Sequence, residues 1–237
     1  MEKTPRLPFE YRMTKTQRIL GWIYLPLHVV AFPILFGMLA GSLPETLSES
    51  RANLIYYAVG IVFCLTVMFR YLRAEFDGLL DRPMRCLGTI LLAVCAVYAM
   101  SFVAGVILLA LNATIENPGN AEILDLAKVD YGAVRAIAVY LAPIVEETLF
   151  RGVIFGSLRT RSRALAYAVS VAAFSLYHVW QFAVLGDWTA LLYAIQYIPV
   201  SVALAWCYER SGSLWTNIFF HMGYNAFSFA VLRVVSG

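Results

Sequence analysis

Three short stretches in the second half of the chain place chemically capable side chains at helical spacing. Glu146-Glu147-Thr148-Leu149-Phe150-Arg151 sets two carboxylates and a guanidinium inside an apolar run. A charge at that depth is costly, about 2.5–3.5 kcal/mol on insertion scales, so it calls for a partner or a task. Glu147 and Arg151 are four apart, share a helix face and can pair. Glu146 is rotated by about 100° and is left for another role. Phe174 and His178 lie one turn apart in a second run, and His221 and Asn225 lie one turn apart in a third, with Gly223 between them. Such a set suits peptide-bond hydrolysis. Glu146 would be the general base toward water, with His178 orienting that water and moving protons. Asn225, with His221, would donate to a tetrahedral oxyanion. A second scheme uses Glu146, His178 and His221 as ligands of Zn2+ or another divalent metal that acidifies its water. Both schemes are open at this point. The sequence contains no HExxH, which excludes a zincin helix.

The elements that must position these residues are membrane helices. The 237 residues are 61% hydrophobic and only 14% charged, with a mean hydropathy of +0.71. Soluble domains carry roughly 45–50% apolar and about 25% charged residues, so the excess needs a second apolar phase. The fold class expected is all-α, a polytopic transmembrane bundle. Charge-free runs cover Ile19–Pro44, Ala52–Phe69, Cys86–Ile115, Ala164–Gly186, Trp188–Tyr208 and Ser211–Leu232, and the interrupted run Tyr131–Phe155 makes about seven spans. Basic residues crowd the N-terminal tail, the loop holding Arg70, Arg73, Arg82 and Arg85, and the loop holding Arg159, Arg161 and Arg163. The intervening loops are acidic, with Glu45 and Glu49, then Glu116, Glu122, Asp125 and Asp130, then Asp187. This alternation predicts a cytoplasmic N-terminus and an external C-terminus.

The expected organisation is a cytoplasmic tail over 1–18, scaffold helices over 19–130 and catalytic helices over 131–237. His28, alone in the scaffold, reads as packing. Gly37 and Gly41 could let two helices approach closely. Asn112-Ala113-Thr114 reads as a chance sequon match at a helix end. The four cysteines form no metal-site spacing and no disulfide is expected. The net charge of +3 does not suggest nucleic acid. The partners expected are the lipid bilayer and a peptide or membrane-protein substrate.

EExxxR (Glu146, Glu147, Arg151), FxxxH (Phe174, His178) and HxxxN (His221, Asn225), in that order on three helices, resemble the CAAX protease and bacteriocin-processing family of intramembrane peptidases, also called CPBP or Abi. The likeness covers about the last hundred residues. It implies a helical core whose polar residues face a cavity reached from the cytoplasm. It assigns catalysis to Glu146, His178, His221 and Asn225 and support to Glu147, Arg151 and Phe174. Metal-dependent and metal-free mechanisms both accompany the resemblance. The compact chain looks more like the bacterial members, which places it in a bacterial plasma membrane and does not imply a prenylated substrate. The alternative is a non-enzymatic immunity or regulatory membrane protein that keeps the motif for structure. A small proton-coupled carrier is weakened by the lack of an inverted repeat.

Overall fold

The computed structural model describes residues 9–39, 49–111 and 117–236. Among these the chain forms ten helices and no strand, so the expected all-α membrane bundle is observed. The Asn112-Ala113-Thr114 sequon, Gly41, Glu45 and Glu116 lie outside the described residues.

Helix boundaries follow local chemistry. Helix α1 (Lys15–Met38) opens at Thr14, whose side chain accepts from the Gln17 amide while Gln17 reaches back to the Thr14 backbone. A π turn at Leu27–Ala31 carries α1 between Pro26 and Pro33 without a break. Helix α2 (Glu49–Thr66) meets α3 (Phe69–Leu80) at a bend of 78°. Helix α3 buries Tyr71, Leu72 and Glu75 and exposes Arg70 and Arg73, the pattern of a helix lying along the membrane surface.

Helix α4 (Pro83–Ala110) has proline in its first turn, where its missing donor costs nothing. Helix α5 (Pro118–Val129) is capped by the Asn117 side chain, and α6 (131–159) by Asp130. Ser162 caps α7 (Arg163–Tyr177), which a short α8 (Trp180–Val184) follows. Helix α9 (Trp188–Ser211) ends at Gly212, whose φ of +72° needs a residue without Cβ, and α10 (Leu214–Ser236) follows directly.

Three described helices, α1, α4 and α9, are long and apolar enough to cross a bilayer, and the bent α2–α3 pair would make a fourth. Each of the seven expected stretches does carry a helix, but not every helix meets both criteria. Helix α7 stops after 15 residues, before His178. Helices α6 and α10 are long yet carry the polar residues of the motifs, which dilute their apolarity. Burial separates roles. Half of the apolar window of α9 is buried, against 17% for α1 and α4. Helix α9 packs on α4 and α7, while α1 and α4 turn Ile23, Leu91 and Phe102 outward, where lipid would lie. Helix α6 is the axis of the bundle: every residue from Val145 to Gly156 is buried.

Candidate active site

Helix α6 changes its winding at the two carboxylates. A short α segment ends at Glu146, and a π segment runs from Glu147 to Phe155. Such widened turns gather at functional sites because they redirect side chains that an α-helix would stack. The expected Glu147–Arg151 pair is present, with Nη1 donating to Oε1 at 3.0 Å and both side chains fully buried. Arg151 also donates through Nη2 to the Ser201 carbonyl and hydroxyl, at 3.0 and 2.9 Å, and lies over the Phe174 ring at 4.2 Å. Phe174 thereby serves as a platform, since its ring also contacts those of His178 and His221.

Glu147 is the hub of the network. Its Oε1 accepts a second bond, from His221 Nδ1 at 2.8 Å, and its Oε2 accepts from the Asn217 amide. A carboxylate beside Arg151 accepts only, so His221 Nδ1 carries the hydrogen and, in the neutral ring, Nε2 keeps its lone pair. Asn217 was not among the residues singled out from the sequence. The signal was there: Asn217, His221 and Asn225 form an NxxxHxxxN stripe on one face of α10.

Glu146 sits differently. Its Oε1 accepts from the Tyr57 hydroxyl at 3.3 Å, and its Oε2 stands 3.9 Å from His221 Nε2. Tyr57 bonds to Tyr177 at 3.2 Å, and Tyr177 to Tyr56 at 3.3 Å, so hydroxyls from α2 and α7 line one side of the carboxylate. Sequence reasoning missed these tyrosines, because an aromatic in an apolar run reads as packing. Their approach depends on Gly60, where an added Cβ would lie 2.8 Å from a Val145 methyl. Helix α2 can close on α6 beside Glu146 only because that side chain is absent.

His178 lies just past the end of α7 rather than within a continuous span. Its Nδ1 donates to the Phe174 carbonyl at 2.8 Å, and its ring stacks on Tyr197 at 4.3 Å. Asn225 faces the same way as His221 but donates its amide to the Ala138 carbonyl, at 2.9 Å. The expected groups are thus grouped around α6, with His221 touching Glu147 more closely than Glu146.

A metal bound by Glu146, His178 and His221 fits this arrangement poorly. Among the described residues no three His, Cys, Asp or Glu side chains are placed to hold an ion. Each histidine commits only Nδ1, to Glu147 and to Phe174, so the obstacle to an ion is the spacing of the side chains and not these bonds.

Residues 131–227 match the Rce1-like family, type II CAAX prenyl endopeptidase Rce1-like. The match contains all three motifs, and the resemblance read from them is borne out over that region. The chain is also similar to the "Putative membrane peptidase YdiL" of Bacillus subtilis (strain 168), 24% identical over 207 residues that cover 84% of this chain and 80% of that protein. No solved structure matches significantly.

Proposed function

We propose that the chain is an integral membrane endopeptidase in which Glu146 activates a water held between it and His221. The observation that carries this is the pairing of Glu146 Oε2 and His221 Nε2 across 3.9 Å. With Nδ1–H spent on Glu147, Nε2 is an acceptor, and an ionised Glu146 is an acceptor too. Two acceptors facing one another need a donor between them, and a water with two O–H groups satisfies both. Glu147 cannot be the base on this reading, because its oxygens are taken by Arg151, His221 and Asn217.

The water oxygen attacks the scissile carbonyl carbon, and its proton passes to Glu146. The carbonyl π pair moves to oxygen, where Asn225 would donate its second amide hydrogen to the oxyanion. Collapse re-forms the carbonyl and breaks the C–N bond, and Glu146 returns the proton to the departing amine. His178, at the end of α7, helps to orient the water. Glu147, paired with Arg151, sets the His221 tautomer, and Phe174 packs against the ring. The substrate is a peptide or membrane protein whose scissile bond reaches the bilayer interior, and the family match together with the bacterial relative supports a bacterial plasma membrane.

Purified protein in nanodiscs, incubated with membrane peptides and read by mass spectrometry, tests the reading. Cleavage is expected from the parent chain and not from Glu146→Gln or His221→Ala, with both variants folded. Equal cleavage by all three would overturn it, and folded protein that cleaves no peptide would favour the immunity or regulatory alternative.

A further inference from the structure

One end of the bundle holds a second built feature, far from Glu146. A cavity of about 320 Å³ is lined by Arg85, Arg159, Arg163, Arg210, Trp206 and Glu209, with Phe9 at its edge. Thirteen residues of α6 separate Glu146 from Arg159, about 20 Å at a helical rise of 1.5 Å. The cavity therefore does not belong to the hydrolytic site.

Its electrostatics are unbalanced. Glu209 answers Arg159 at 2.6 Å and Arg163 at 2.8 Å. Among the described residues neither Arg85 nor Arg210 has a carboxylate partner. Arg85 is steadied by donating Nε and Nη2 to the Arg210 carbonyl, at 3.0 and 2.6 Å. Arg210 lies over the Trp206 ring at 5.2 Å. Both guanidiniums are held in place yet keep donors for an anion, and planar forks of this kind suit phosphate oxygens.

A neighbouring open groove shares Arg163 and continues along Ala164 and Tyr167 of α7. The basic cavity thus opens onto an apolar groove along the start of α7. A free anion has no use for that second surface, whereas a lipid fills both.

We propose that this cavity binds the phosphate headgroup of an anionic phospholipid, its acyl chains lying along α7. Basic pockets between helices at the cytoplasmic side of membrane proteins suit such headgroups. The site goes beyond the peptidase reading and does not depend on it.

The test uses the full chain in nanodiscs of phosphatidylglycerol or phosphatidylcholine, with thermal stability read by tryptophan fluorescence and retained lipid counted by native mass spectrometry. Phosphatidylglycerol is expected to raise the midpoint by several degrees and to be retained several-fold over phosphatidylcholine. Arg210→Gln, an exposed position, should lose most of that preference, and Arg85→Ala with Arg210→Ala all of it. Arg70→Ala with Arg73→Ala, exposed on α3, should keep it. An unchanged preference in Arg210→Gln would overturn the proposal. So would equal stabilisation by inorganic phosphate in detergent, which would make the site one for a soluble anion.

Discussion

At the scale of single residues, the proposed mechanism gives adjacent carboxylates opposite duties because their neighbours differ. Glu146 has one donor and a free oxygen, whereas Glu147 is saturated and neutralises a buried guanidinium. Glu146→Gln should therefore lower kcat by about 10²–10⁴, the usual range for a lost general base, with little change in thermal midpoint. Glu147→Ala should instead destabilise by about 3–5 kcal/mol, since it strands Arg151 without its partner. Activity and unfolding measured on both variants check the division, and equal loss of stability in the two would refute it. Tyr57→Phe tests the less visible contributor. It removes one bond to Glu146 and should cut kcat about tenfold while leaving the fold intact. An unchanged kcat would reduce Tyr57 to packing. The motif residues were legible because a charge or an imidazole in an apolar run stands out. Tyr57 was not, because its role comes from a contact 89 positions away in sequence. His28, read as packing, is buried and stacked on Tyr56 at 4.4 Å.

At the scale of elements, what matters is how the scaffold helices press on α6 and α10. Gly60 lets α2 approach, so Gly60→Ala should shift α2 outward, cost about 1–3 kcal/mol and lower activity by moving Tyr57. Gly37→Ala is the control, since a Cβ there meets nothing within 4 Å. Equal behaviour of the two variants would show that the α2–α6 contact is not tight. The start of α10 is fixed from another helix. Glu75 of α3 accepts from the Leu214 amide at 2.7 Å, Ser213 donates to the Glu75 carbonyl at 2.6 Å, and Trp215 donates to the Leu72 carbonyl at 2.7 Å. A carboxylate at the first amides of a helix is worth about 1 kcal/mol as a cap. Glu75→Ala should lower the midpoint by a few degrees and reduce activity through α10, which carries Asn217, His221 and Asn225. The apolar helices were legible from charge-free runs, whereas α3 and α5, which form where the loops holding Arg70 and Arg73 and holding Glu122 and Asp125 were expected, were not. The π turns of α6, the 78° bend after α2 and the break at His178 were not, since each answers to tertiary packing rather than to periodicity.

At the scale of the whole molecule, charge sorts the bundle into two ends. Arg85, Arg159, Arg163 and Arg210 converge at one of them, although they come from four helices, α4, α6, α7 and α9. At the other, α5 brings Glu122 close enough to Glu49 for repulsion to add to burial, and both raise its pKa above the ordinary value. A bundle with arginines gathered at one end inserts with that end in the cytoplasm. Single cysteines placed at Arg161 and at Asp187, on a background lacking the four native cysteines, should then label from opposite sides of the membrane. Arg161→Cys is expected to react only after the membrane is permeabilised, and Asp187→Cys with impermeant reagent on intact cells. The reverse pattern would place the arginine cavity outside, away from the anionic inner leaflet, and would remove the positional argument for a lipid there. The same preparation addresses the water-activating scheme. If Glu146 and His221 hold the water between them, cleavage should persist after a strong chelator and dialysis. Activity lost on chelation and restored by Zn2+ would require Glu146, His178 and His221 to close up around an ion, the histidines through Nε2 with Nδ1 still on Glu147 and Phe174.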